Sequence, residues 1–397
     1  MECNEQLIQT LYADVEFTTM IKGFKIRLYP TAEQEQKMWQ HIGTCRYVWN
    51  YMLAEQIRRY ENGEKHLSQF DMINLLKPLK NDGEHDWMYE CSNTSYQRVC
   101  TDLDKAYKSL FRKQARKPKF KSRKKSKPSY PICEEQLYFC GNRVHVQKIG
   151  KVKYKTDLEM PQGTGHKFSN ARISNVNGKW ILSFGMECEN QAPVLTDEPM
   201  GIDLGVKETM TVACGDEQIV FHNINKSAKM RYLKRQLKHV QRTISRKYEA
   251  NKQGKKYIKT KNIEREEAKA RKLYARMANI RQNYNHQSTH KLISLLPARV
   301  TMENLNVLGM MKNKHLSRVV AEQNFYEIVR QMQYKCEWNE IPFVQVDTFY
   351  PSSKLCSGCG CKKTDLKLKD RTYICKNCGL VIDRDYNAAI NLMRYEA

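Results

Sequence analysis

Five of the chain's fourteen cysteines fall between Cys356 and Cys378. Two residues separate Cys356 from Cys359, two separate Cys375 from Cys378, and fifteen lie between the pairs. This spacing offers two thiolates from each of two knuckles to one tetrahedral ion, as in a structural zinc site. Gly358, Gly360 and Gly379 are expected to make the tight turns, with Cys361 outside the ligand set. Such a ribbon staples a fold and by itself says little about activity.

Four carboxylates say more. Asp203 ends an apolar strand in GIDLG, where Gly201 and Gly205 allow a ligand to come close, although an acid in a tight turn reads the same way. Glu303 follows the apolar run RVTM, and Asp383 and Asp385 open a final helix, where an acid is commonly only an N-cap. Together the three positions suit phosphodiester hydrolysis by two divalent ions about 4 Å apart, one activating water and the other stabilising the leaving oxygen.

The elements that must position these groups follow from periodicity. IKGFKIRLYP alternates as a half-buried strand and stops at Pro30, and Thr31 can cap a helix carrying Met38, Ile42, Cys45, Trp49, Met52 and Leu53 at helical spacing. Similar patterns at 70–79 and 96–111 make 31–112 a helical bundle. Residues 134–190 alternate as strands, with Asn177-Gly178 as a hairpin turn. A strand, a helical insertion and several short strands suit a small β-barrel of the kind that binds oligonucleotides, or an ordinary structural sheet. From 199 to 397, strands and helices mix in one α/β domain interrupted by the cysteine cluster. Met230, Leu233, Leu237, Val240 and Ile244 stripe the first helix of a long hairpin, IPFVQVDTFY reads as a strand, and Phe325 to Trp338 as a helix.

Composition narrows the function. At 397 residues, 41% hydrophobic and 10% aromatic, the chain suits two or three globular domains. No apolar run approaches the length of about 18 residues that spans a bilayer. Residues 1–19 carry four acids and no Lys or Arg, unlike a secretory signal, so a cytoplasmic protein is expected. That leader is expected to be disordered and dispensable, with Met20 an alternative start to Met1. The net charge of +25 calls for a polyanionic partner. Ten basic residues and no acid occupy 111–128, and nineteen against four acids occupy 226–276. The first run is either a solvated linker or a phosphate track in which Phe120 and Tyr130 supply stacking rings.

The succession GIDLGVK, VTMENLNVLGMMKN, SSKLCSGCG and YICKNCGLVIDRDYNAAINL resembles the RuvC-like nuclease and embedded zinc ribbon of the TnpB family. These are transposon-encoded RNA-guided endonucleases close to miniature type V CRISPR effectors. IKGFKIRLYPTAEQEQKMWQHIGTCRYVWNYML resembles that family's opening segment and ARKPKFKSRKKSKPSY its basic loop, so the resemblance covers nearly everything from Met20. It implies a multidomain α+β chain, a small β-barrel with an inserted helical bundle followed by a ribonuclease H-like (RuvC) α/β nuclease domain containing a zinc ribbon. The expected parts are a leader (1–19), a wedge-like barrel (20–30 and 129–192), a helical recognition domain (31–112) and a basic loop (113–128). A nuclease domain (193–354 and 380–397) with a helical hairpin (226–284), and the ribbon (355–379), complete them.

The resemblance makes Asp203, Glu303 and Asp385 the catalytic acids holding two Mg2+ ions, and Cys356, Cys359, Cys375 and Cys378 the Zn2+ ligands. Asp385 is preferred because it shares a helix face with Ala388, Ala389 and Leu392, leaving Asp383 as the cap. Arg281 and His286 lie in a segment similar to the family's, but NYNHQ departs from the usual pattern and no role is assigned to His286. The implied partners are a guide RNA and target double-stranded DNA next to a short flanking motif, with Lys117, Lys119, Lys121, Arg123 and Lys124 on phosphates. One protein per guide is expected, a dimer being the alternative. Competing readings are the same chemistry serving a CRISPR array, a guide-directed repressor, and a guide-free accessory factor of transposition. A repressor would be expected to lack one or more of the three acids.

Overall fold

The computed structural model describes residues 18–190, 192–367 and 370–396. Most of the expected leader lies outside the described residues, and Thr18 and Thr19 already belong to the first strand, β1 (Thr18–Tyr29). The chain divides into two compact units, one of residues 19–189 and one from residue 190 onward.

In the first unit, Pro30 ends β1 and Thr31 caps α1 (Ala32–Glu61) through a reciprocal box. The Thr31 hydroxyl accepts from the Gln34 amide, and the Gln34 side chain accepts from the Thr31 amide. One face of α1 buries Met38, Ile42, Cys45, Val48, Trp49, Met52 and Leu53. Helices α2 (Gln69–Lys80) and α3 (Asn93–Phe111) follow. The chain then returns as β2 (Ser129–Pro131), β3 (Tyr138–Cys140), β4 (Arg143–Val146), β5 (Gly150–Lys155), β6 (Phe168–Val176) and β7 (Lys179–Asn190). Asn177 and Gly178 join β6 to β7 with positive φ values of 53° and 79°, as a two-residue hairpin requires.

Where a small barrel is expected, the described strands form one curled seven-stranded sheet, in the order β2-β6-β7-β1-β5-β4-β3. Its outermost strands, β2 and β3, are three residues each. Phe24, Phe139, Phe168 and Phe184 cluster against one another, the Phe168 and Phe184 ring centroids 5.4 Å apart. A single core runs from Ile26 and Leu28 through Met52 and Leu103 to Ile173 and Leu182, so the helices and the sheet share one interior.

The second unit is built on a five-stranded sheet in the order β10-β9-β8-β13-β14. It comprises β8 (Pro199–Leu204), β9 (Glu208–Cys214), β10 (Glu217–His222), β13 (Arg299–Met302) and β14 (Phe343–Gln345). Strands β8, β13 and β14 run parallel, and β9 and β10 are antiparallel. Between β10 and β13 lie α4 (Ala228–Ala250), a tip hairpin of β11 (Lys252–Gln253) and β12 (Lys256–Tyr257), and α5 (Lys261–Ile293). The expected apolar stripe of α4 meets Ala270, Leu273, Met277 and Ile280 of α5. Next come α6 (Val307–Lys312), α7 (Ser317–Gln323) and α8 (Phe325–Trp338). The ribbon hairpin of β15 (Thr372–Ile374) and β16 (Val381–Asp383) leads into α9 (Arg384–Met393). Among the described residues no helix is long and apolar enough to cross a membrane.

Alternation gives this sheet two different faces. Met200, Ile202, Leu204, Met210, Val212, Val300 and Met302 pack with Leu292, Phe325, Ile328 and Met332. The opposite face, bearing Gly201, Ala213 and Thr301, receives α9. A Cβ on Gly201 would lie 2.1 Å from the Ala389 carbonyl oxygen and 2.2 Å from the Met393 nitrogen, so the helix backbone rests directly on the strand. Gly201→Ala must push α9 outward, and denaturant unfolding of this variant is expected to show a loss of about 3 kcal/mol or more.

Candidate functional site

The three acids meet at one end of that second face. Thr301 pairs with Gly201 and Met302 with Ile202, which brings Glu303, the next residue, beside Asp203. Asp385 reaches the same strand ends from the first turn of α9. Burial pushes the Asp203 carboxyl well above the ordinary carboxylate range, reinforced by the charges of Glu303 and Asp385. Burial also raises Glu303, opposed by hydrogen bonds from Ser352 and Asp203. Asp385 is raised by burial and by Asp383, and is countered by Arg371, whose guanidinium lies 3.9 Å away, and by Arg384. The three half-buried carboxyl groups offer oxygen donors only, the donor type that hard divalent cations take.

The two candidates in DRD separate by geometry. Asp383 is the N-cap of α9, its carboxylate accepting from the amides of Asp385 (2.9 Å) and Tyr386 (3.1 Å). Asp385 is left to face Asp203 and Glu303.

The sulfurs of Cys356, Cys359, Cys375 and Cys378 all lie within 4.8 Å of one another. The Cys356–Cys378 and Cys359–Cys375 separations are 3.5 and 3.6 Å, close to the edge of about 3.8 Å expected for four sulfurs around one zinc. Cys361 is exposed and outside this quartet. Gly360 and Gly379 adopt positive φ, 72° and 74°, whereas at Gly358 φ is not positive and a Cβ would make only an ordinary contact, 3.5 Å from the Cys378 sulfur. The Cys359 thiol is held down at about 6, chiefly by a hydrogen bond from Asn377.

The basic run around 112–128 forms no helix and is clamped onto α1. The Trp49 indole donates to the Lys119 carbonyl (3.0 Å), and the Asn50 amide bonds both the carbonyl and the N–H of Lys121. Lys117, Lys119, Arg123 and Lys124 point into solvent. Lys121 instead lays its ammonium 3.5 Å from the centre of the Trp49 ring, and desolvation lowers it to about 8. It lines a cavity of about 610 Å³ with Arg46, Arg123, Lys127 and Arg172. Tyr130, expected to be a stacking ring, is fully buried in the core of the first unit, while Phe120 stays exposed.

On the helical hairpin, Lys234, Lys247, Lys259, Lys269 and Arg271 form ion pairs with Glu322, Glu266 and Glu267, leaving the other basic side chains to dominate its surface. Arg281 bonds Asn225 at 2.6 Å. Sequence reasoning missed Ser352 and Arg371, which touch Glu303 and Asp385. Neither stands at a spacing that signals such a role.

Three family models match the chain: one described as a probable transposase over residues 183–314, a Cas12f1-like TNB domain over 325–392, and a helix-turn-helix domain over 20–65. In this chain 20–65 is β1 followed by the single uninterrupted helix α1. The Escherichia coli (strain K12) protein named "Putative RNA-guided DNA endonuclease InsQ" is 29% identical over 389 residues, 94% of this chain and 92% of the relative. A Streptomyces pristinaespiralis protein, named a "Putative RNA-guided DNA endonuclease", is 27% identical over 94% of this chain and 88% of its own length. The cryo-EM structure of a Cas12f1-sgRNA-target DNA complex contains a chain of similar fold, with a TM-score of 0.58 at 12% identity over 94% of this chain and 99% of that one.

The cap assignment is testable by thermodynamics alone. Asp383→Ala is expected to cost about 0.5–2 kcal/mol of stability in denaturant unfolding by removing an N-cap.

Proposed function

We propose, for a chain that belongs to the TnpB family of transposon-encoded RNA-guided DNA endonucleases, that Asp203, Glu303 and Asp385 form one nuclease site cleaving target DNA paired to a guide RNA. The observation that carries this reading is the convergence of three acids from three elements into one half-buried cluster at the strand ends, where the other two acids raise the pKa of Asp203. The chain contributes the rigid sheet ends and the helix that hold these carboxylates together against their repulsion. Bound there, two Mg2+ ions would supply water activation and stabilisation of the leaving oxygen. The cysteine quartet would hold one structural Zn2+, a role supported by its thiolate donors and near-tetrahedral sulfur spacing.

Guide and target recognition is assigned to phosphates. Lys117, Lys119, Arg123 and Lys124 are exposed on a loop anchored by Trp49 and Asn50, and the α4–α5 hairpin presents a second basic surface. Lys121 is reassigned from a phosphate contact to an anchor of that loop. Base pairing then reads sequence, and the protein needs only a short flanking motif.

Asp203→Ala, Glu303→Ala or Asp385→Ala is each expected to abolish cleavage while guide and target binding persist; parent-like cutting in any of the three removes that residue from the site. Asp383→Ala should still cut. Metal analysis should find close to one zinc per chain, lost in Cys356→Ser and Cys378→Ser and retained in Cys361→Ser. Neutralising Lys117, Lys119, Arg123 and Lys124 together should flatten the dependence of guide affinity on salt, by about 0.7–0.9 in the log–log slope for each phosphate the loop no longer neutralises. A solvated linker would leave that slope unchanged.

A further inference from the structure

We infer that Ser352 is a positioning residue for Glu303, its hydroxyl fixing one carboxylate oxygen so that the other is turned toward the divalent cation. This rests on the nuclease reading above and adds a residue to it. Ser352 is 3% exposed, and its Oγ donates to Oε1 of Glu303. A buried hydroxyl bonded to one oxygen of a metal-facing carboxylate restricts its rotation, which is how groups behind a ligand tune metal affinity.

The segment bearing Ser352 is itself held firmly. Asn391 of α9 donates to the carbonyls of Ser352 (2.7 Å) and Leu355 (2.8 Å), and Asn387 donates to Leu355 (2.6 Å). Asn387 also accepts from the Ser357 amide (2.9 Å), and Arg394 bonds the Ser357 carbonyl. Residues 387, 391 and 394 lie on one helix face. They clamp a strap whose near end touches Glu303 and which contains Cys356 of the thiolate quartet. Helix α9, which carries Asp385, thus aligns a second catalytic acid through Ser352. All the clamp's bonds go to the strap's backbone, so removing the Ser352 hydroxyl leaves the strap in place.

The test uses the full chain with its guide RNA and follows Mn2+ binding at the acid site by electron paramagnetic resonance, beside the Mg2+ concentration giving half-maximal cleavage. Ser352→Ala is expected to weaken Mn2+ binding about 10-fold or more and to raise the Mg2+ requirement in parallel, with zinc content and thermal unfolding unchanged. Ser352→Thr, which keeps the hydroxyl, should bind Mn2+ within about twofold of the parent. Parent-like Mn2+ binding by Ser352→Ala overturns the inference. So does a Ser352→Thr variant as impaired as the alanine variant while retaining its zinc, since packing rather than the hydroxyl would then matter. Glu303→Ala is the separate control: if it still cuts DNA, the nuclease reading fails, whereas a dead Glu303→Ala beside an unaltered Ser352→Ala condemns the Ser352 role alone.

Discussion

Three carboxyl groups crowded at one end of the sheet are the constraint around which the second unit is organised. Two carboxylates about 4 Å apart repel by roughly 4 kcal/mol even at an effective dielectric near 20. Side chains on flexible loops would swing apart. Here Asp203 and Glu303 sit at neighbouring ends of parallel strands whose other face is a continuous apolar core, and Asp385 is fixed by a helix pressed onto the backbone of Gly201. The sheet can hold the acids together because both of its faces are packed, one on an apolar core and the other on α9. A divalent cation would relieve their repulsion, which is why a site costly to the empty protein makes chemical sense.

Helix α9 joins the two halves of this arrangement. Ala389 and Met393 lie against the sheet beside Ala213, where small residues let the helix come close. Asn387 and Asn391 turn instead to the strap and satisfy carbonyls that would otherwise be buried without partners. The cysteine ribbon interrupts the chain between β14 and α9, and the strap at its start is bonded to the helix at its end. An insertion anchored at both ends can be long without loosening the domain it interrupts.

Basic residues are used in more than one way. Some on the helical hairpin pair with Glu266 and Glu267, which limits local repulsion. In the first unit, Lys121 lies on Trp49 and helps fix a loop whose other cations remain in water. Composition supplies the positive potential, and local packing decides which charges are free to meet phosphate.

Much was legible in the sequence because it depends on local chemistry. Thr31, Asn177-Gly178 and the α4 stripe declare themselves through capping, turn preference and helical period. The cysteine quartet is equally plain, since a tetrahedral ion demands paired thiolates at short spacing. Asp385 could be preferred to Asp383 from helix geometry, but the bonds of Asp383 to its own helix amides settle its role as cap. What tertiary structure alone decided involves partners distant in sequence: the strand order of the first sheet, the burial of Tyr130, the turn of Lys121 onto Trp49, and the contact of Ser352 with Glu303. Periodicity reports which face of an element is buried but not what lies across from it. A hydroxyl forty-nine residues from its acceptor leaves no trace in spacing until the strands and the helix have been assembled around it.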